Sequence, residues 1–224
     1  MTTNDATKTK KKFVKILTPE FRVSWPQVFE AKAVNPGDKL KFSVQMLFRL
    51  KPNPKDATEK VLDAATLTPL KEAVKALLIE KLGAGWATEV VKKKVDGSPM
   101  YRLPFHDGKE KDMDGYGEGV MFCTATSVLK PGLVDGSNQA IISPSEFYGG
   151  CYARATVNPF WYDIKGNKGV ALGLLNIQKL RDGMPFSGRS KPEDDFDAIE
   201  TPGGATAASA GAVSADNPMG IAGL

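Results

Sequence analysis

The clearest pattern in the chain lies in residues 39–51. Leu40, Phe42, Val44, Met46 and Phe48 alternate there with Lys41, Ser43, Gln45 and Arg49. Apolar side chains at every second position predict a half-buried strand, because successive side chains leave opposite faces of the pleat. Leu47 is the one apolar residue on the polar side, and that open face carries cations. Pro52-Asn53-Pro54 ends the strand. The period then changes: over residues 66–82, Leu70, Val74, Leu77, Leu78 and Leu82 recur at helical spacing. Pro69 suits the first turn of this helix and Gly83 its exit, while Lys71 and Lys75 make its outer face basic.

Runs rich in Val, Ile, Phe and Thr predict further strands at residues 13–16, 21–25, 120–128, 140–142, 147–157 and 170–179. Residues 90–101 read as a hairpin turning at Asp96-Gly97. Residues 107–119 read as a Gly- and charge-rich loop, and Gly166-Asn167-Lys168-Gly169 as a turn. The 147–157 segment alternates by size. Cys151, Ala153, Ala155 and Val157 are small and apolar, as the crowded interior of a small barrel requires. Tyr148, Tyr152, Arg154 and Thr156 take the other face, and continued alternation adds Phe160 and Tyr162 while turning Trp161 inward. No internal repeat has a fixed period. The pattern predicts an all-β domain over residues 13–190, a small barrel with one inserted α-helix. A flexible basic arm, residues 1–12, precedes it. A disordered tail, residues 191–224, follows, acidic at first and then rich in Ala, Gly and Ser.

Composition narrows the function. With 224 residues and 42% hydrophobic, the chain can bury a core. It contains no apolar run of about 18 residues to span a membrane. The N-terminus lacks the apolar stretch of a signal peptide, and two cysteines make no disulfide framework, which points to a reducing, cytoplasmic setting. The net charge of +4 conceals a split. Residues 192–224 hold six acids and no Lys or Arg, leaving 30 bases against 20 acids in residues 1–191. A basic body with an acidic tail suggests a polyanion-binding surface with an internal competitor for it.

Catalytic signals are thin, and no enzyme activity is expected. His106-Asp107 lacks the third, orienting group that acid–base chemistry needs. Asp112-Met113-Asp114-Gly115 opens like a calcium loop but lacks the closing Glu and flanking helices. The Gly115–Gly119 run is followed by a strand rather than a helix, so it is no dinucleotide fingerprint. Two cysteines and one histidine at scattered positions make no zinc site. No metal or cofactor is expected.

What remains is the open sheet face. Tyr148, Tyr152, Phe160 and Tyr162 offer rings for stacking bases, worth roughly 1–3 kcal/mol each and tolerant of sequence. Lys41, Arg49, Lys51, Arg102, Arg154, Lys165 and Lys168 would neutralise phosphates. Single strands are the expected ligand and duplex a weaker one, since only exposed bases stack. From the residues alone a second reading stays open: a structural or assembly protein that buries the same face against a partner.

Several of these segments also resemble a known family. Phe147-Tyr148-x-Gly150-Cys151-Tyr152-x-Arg154, Asn158, and Gly173-Leu174-Leu175-Asn176-Ile177-Gln178 with Arg181-Asp182-Gly183 are similar to the phage single-stranded DNA-binding proteins. Leu103-Pro104-Phe105-His106-Asp107-Gly108 and Lys130-Pro131-Gly132 match as well, and the likeness covers about residues 12–198. The resemblance implies an OB-fold and single-stranded DNA binding in phage replication or recombination, in the host cell cytoplasm. It also implies that Glu193, Asp194, Asp195, Phe196 and Asp197 form a regulatory tail that recruits replication or recombination proteins or competes with DNA.

Overall fold

The computed structural model describes residues 14–33, 35–53, 59–164 and 166–186. In chain order its elements are β1 (Ile16–Leu17), β2 (Phe21–Lys32), β3 (Lys41–Arg49), α1 (Thr68–Leu82), α2 (Trp86–Val90), β4 (Tyr101–Arg102), β5 (His106–Asp107), β6 (Val120–Ser127), β7 (Gly132–Val134), β8 (Tyr152–Ile164) and β9 (Asn167–Arg181). The expected basic arm and acidic tail lie outside the described residues.

Pairing order explains the architecture. β2 pairs antiparallel with β3, β3 with β6, and β8 with β9, while β6 and β9 run parallel. β8 then pairs back onto β2 at Phe21↔Ala153 and Arg22↔Tyr152, so five strands form a ring. A five-stranded Greek-key ring with a single parallel junction is the OB arrangement. β4 and β7 lengthen the sheet beside β9, and β5 beside β6.

The small-residue alternation of β8 does what the sequence predicts. Ala153, Ala155 and Val157 are buried, and they face a core of Val23, Val44, Met46, Phe48, Ala125, Leu172, Leu174 and Ile177. Small side chains let this narrow barrel close without overpacking. Trp161 packs against the same core, as alternation predicts. The helix starts at the expected Thr68-Pro69, after a short 3-10 turn at Ala64–Leu67 in which the Asp63 side chain accepts from the Ala65 N–H at 2.9 Å. It buries Leu70, Val74 and Leu78 and ends at Gly83, whose φ of +73° only glycine adopts without strain. Gly166, with φ +77°, similarly permits the tight reversal between β8 and β9.

Three elements depart from the sequence pattern. β2 continues past Trp25 and Pro26 to Lys32, with its register broken between Ser24 and Gln27. The 147–157 run is a strand only from Tyr152, residues 147–151 forming a turn, whereas the 90–101 hairpin does turn at Asp96-Gly97, with the Lys94 N–H on the Ser98 carbonyl at 2.8 Å and the Met100 N–H on that of Lys92 at 2.9 Å. Residues 140–142 supply only the bridge Val134↔Ala140 rather than a strand.

Leu47 finds its explanation here. It is buried in a second, smaller cluster with Tyr116, Val120 and Phe122, and Phe186 packs onto this group. The 107–119 loop therefore folds back over part of the outer face of β3 and β6 instead of standing in solvent.

Candidate nucleic-acid interface

The outer face of β3, β6, β9 and β8 can be read off the register, row by row. In one row Ser43 lies opposite Thr126, Thr126 opposite Gly173, and Gly173 opposite Asn158. The next row pairs Gln45 with Thr124 and Ala171 with Phe160. Beyond it Tyr162 faces Gly169, which also pairs with Arg102 of β4. The floor is thus small or hydroxylic: Thr124, Thr126, Gly169, Ala171 and Gly173. Phe160 and Tyr162 form one wall, both half-buried.

At the end of this face a cleft of about 560 Å³ opens, lined by Tyr101, Arg102, Phe105, His106, Thr124 and Tyr162 among others. Burial pushes the Tyr162 hydroxyl above the usual tyrosine value, and the nearby Arg102 charge pulls it part of the way back. Behind the cleft, Tyr101 and Trp161 pack with ring centroids 5.9 Å apart and tie β4 to the barrel. Gly169 is needed at this point, because a side chain there would run into the Arg102 backbone.

Cations surround the face. Lys32 and Lys41 stand opposite each other across β2 and β3, an arrangement that repels itself unless an anion comes between. Lys39 is exposed on the connecting loop. Among the described residues Lys32, Lys39, Lys41 and Arg102 carry no ion pair. Lys168 is exposed in the β8–β9 hairpin, 3.1 Å from Asp163. Lys51 is exposed beyond β3 and pairs with Glu118 at 3.4 Å.

The sequence-predicted residues therefore separate into groups. Arg102, Phe160, Tyr162 and Lys168 come together at the cleft, with Lys41 on the same sheet at the start of β3. Arg154 is exposed but donates to Gln178 at 2.8 Å, and lies about 26 Å from Tyr162 along β8 at roughly 3.3 Å per residue. Tyr148 is half-buried, its one hydroxyl proton shared between Asp182 at 2.9 Å and the Gly183 carbonyl at 3.0 Å. Lys165 and the tail residues Glu193, Asp194, Asp195, Phe196 and Asp197 lie outside the described residues.

Two expectations are corrected. Arg49 is buried, its Nε donating to Glu59 at 3.1 Å and its Nη1 to the Glu118 carbonyl at 3.2 Å, so its charge is spent inside the protein. Tyr152 is only 9% exposed, and the Arg181 guanidinium lies 3.4 Å from its ring centroid. Arg22, 5.8 Å from the same centroid, and Gly183 complete the cover over this ring.

Residues that sequence reasoning passed over also belong to the face. Lys111 donates to Gln45 at 2.9 Å, with its ammonium 4.9 Å from the Phe122 ring centre and 5.1 Å from that of Tyr116. Desolvation lowers its pKa. His106 stacks on Phe122 at 5.1 Å and contacts Glu110 at 3.1 Å. A usable signal existed: Leu47 and Phe122 are apolar on the outer side of paired strands, which demands a cover. Among the described residues no cluster of His, Cys, Asp or Glu suits a metal ion, and no helix is long and apolar enough to cross a membrane.

Comparison with known proteins bears on the fold and on the kind of protein. The family model described as Enterobacter phage Enc34, ssDNA-binding protein, matches residues 14–206. The chain belongs to this family. A curated relative, "Putative protein p50" of Acyrthosiphon pisum secondary endosymbiont phage 1, is 28% identical over 179 residues, 78% of this chain and 88% of that protein. The single-stranded DNA-binding protein from bacteriophage Enc34 in complex with ssDNA superposes with a TM-score of 0.54 at 21% identity, covering 77% of this chain and 89% of that one. Its C-terminal truncation gives 0.53 at 20% identity over 77% and 88%. At these identities the structural likeness establishes the barrel. Family membership establishes the kind of protein, a phage single-stranded DNA-binding protein.

Proposed function

We propose that this protein binds single-stranded DNA in a sequence-tolerant way, along the outer face of β3, β6, β9 and β8, during phage replication or recombination. One observation carries the reading at residue level. A floor of small residues is walled by Phe160 and Tyr162 and ringed by cations, of which Lys32, Lys39, Lys41 and Arg102 have no ion pair among the described residues. Small floor residues let a base approach the sheet, and rings beside them stack it whatever its identity. Arg102, Lys168 and Lys41 then meet phosphates between bases. In OB barrels the face of the second and third ring strands and the adjoining loops are the usual place for oligonucleotides; here those strands are β3 and β6. The acidic segment 193–197 is assigned to docking of replication or recombination proteins, on the strength of its charge.

The test compares two variants of the full chain by fluorescence anisotropy with labelled oligo-dT. Tyr162→Ala should weaken binding by about 5-fold to 150-fold, the range that loss of one stacking ring spans. Arg154→Ala, at the far end of β8, should leave affinity and salt dependence unchanged. The reverse pattern would move the interface to the other end of the barrel.

A further inference from the structure

A second aromatic site lies on the opposite flank of the same outer face, and nothing in the groove described above uses it. Trp25 is 56% exposed although it sits within β2. Its backbone has φ +45°, a conformation that side-chain-bearing residues rarely adopt. The register of β2 breaks between Ser24 and Gln27, and such bulges re-aim a side chain. Strain retained at an exposed tryptophan points to a use for that orientation.

The ring borders a cavity of about 540 Å³, whose walls include Tyr116, Tyr148, Phe186 and Met113, with Asp114 also lining it. These walls are fixed in advance. The Tyr116 hydroxyl donates to Gln45 and is hydrogen-bonded to the Ser24 hydroxyl at 3.0 Å. Phe186 is held by its own N–H on the Gly149 carbonyl at 3.0 Å, and the Arg22 guanidinium stands 4.4 Å from its ring centre. A pocket whose aromatic walls are held before the ligand arrives loses little entropy on binding.

Position ties the cavity to the groove. Ser24 pairs with Gln45, and Gln45 pairs with Thr124 on the groove floor, so the cavity lies about two strand spacings, roughly 10 Å, from that floor and four spacings, roughly 19 Å, from the Phe160 ring strand. Lys111 stands between them, its ammonium bound to Gln45. A cation at Gln45, one strand spacing from Ser24 and three from Phe160, is placed to meet a phosphate of a strand leaving the cavity toward the groove.

We propose that the Trp25 cavity is a second nucleobase-binding subsite, taking an unstacked base of the same single strand that occupies the groove, with Lys111 serving the connecting phosphate. This rests on the single-stranded DNA reading given above. It extends the path of the strand from β8 across the barrel to β2.

The test uses the full chain in a Trp86→Phe/Trp161→Phe background, where Trp25 is the remaining indole. Its emission should be quenched in step with anisotropy as oligo-dT is added. Trp25→Ala should lower affinity by about 5-fold to 150-fold with an unchanged salt slope, because stacking releases no counterions. Trp25→Phe should keep most of the affinity, which separates lost stacking from lost folding. Emission that stays constant through saturating binding, or a Trp25→Ala affinity within about twofold of the parent, overturns the subsite and leaves the cavity to an apolar side chain of a protein partner. Failure of the parent itself to bind oligo-dT is a different result, and it removes the single-stranded DNA reading as well.

Discussion

Glu59 is where the structure makes its most demanding claim about stability. Its carboxylate is 4% exposed and sits between two guanidiniums, Arg49 at 3.1 Å and Arg22 at 3.7 Å, themselves 7% and 11% exposed. Asn53 adds a hydrogen bond at 2.7 Å. Glu59→Ala would leave two nearly buried cations without their anion. Breaking a buried pair from one side costs about 3–5 kcal/mol, because the remaining charge is no longer compensated. For a domain of this size about 2–4 °C of Tm goes with each kcal/mol, so the melting temperature should fall by roughly 6–20 °C. Arg49→Met should cost less, since Arg22 still faces Glu59, and the Glu59→Met/Arg49→Met pair should recover much of the single-variant loss. Thermal melts followed by circular dichroism measure all three. The same account requires folded Arg49→Met to bind oligo-dT with unchanged affinity and salt slope, because that guanidinium never reaches a phosphate. A Glu59→Ala protein melting within about 2 °C of the parent would refute the reasoning, since the cluster would then be solvated and Arg49 free for DNA.

Arg102→Ala should flatten the slope of log K against log salt by about 0.7, the contribution of one neutralised phosphate on a single strand; an unchanged slope places Arg102 outside the phosphate path. Cys123 and Cys151 are both fully buried, and burial pushes the Cys151 thiol up to about 11 and that of Cys123 higher still. Neither should react with a thiol reagent at about pH 8 until denaturant is added. The folded state keeps these protons after the unfolded chain has lost them, so stability should fall as pH rises above about 8.5, and a denaturant midpoint series in alkaline buffers measures the decline.

Much of the barrel was legible because its elements obey short periods. Alternation in β3, the small residues of β8 and the leucine spacing of α1 are local patterns, and each survives in the structure. The parts that were not legible depend on partners distant in sequence or on a break in period. Arg49 looks like an outward cation until Glu59 folds against it from beyond the Pro52-Asn53-Pro54 break. Tyr152 looks like an open ring until Arg22, Arg181 and Gly183, all distant in sequence, close over it. β2 runs on through Pro26, where a proline ordinarily argues against a strand, because the local bulge absorbs it. Of the proposed interface, Arg102, Phe160, Tyr162 and Lys168 came from chemistry plus alternation. Lys111 and His106 did not, since their loop reads as polar and solvated until Tyr116 is seen covering Leu47 and Phe122.

The most direct test of the central claim is fluorescence-anisotropy binding of the full chain to labelled oligo-dT and to duplex DNA of equal length over a salt series. The account predicts tight binding to oligo-dT and weaker binding to duplex, with log K falling by about 0.7 per neutralised phosphate for each tenfold rise in salt. Equal or tighter binding to duplex, or no binding to either at low salt, would contradict it.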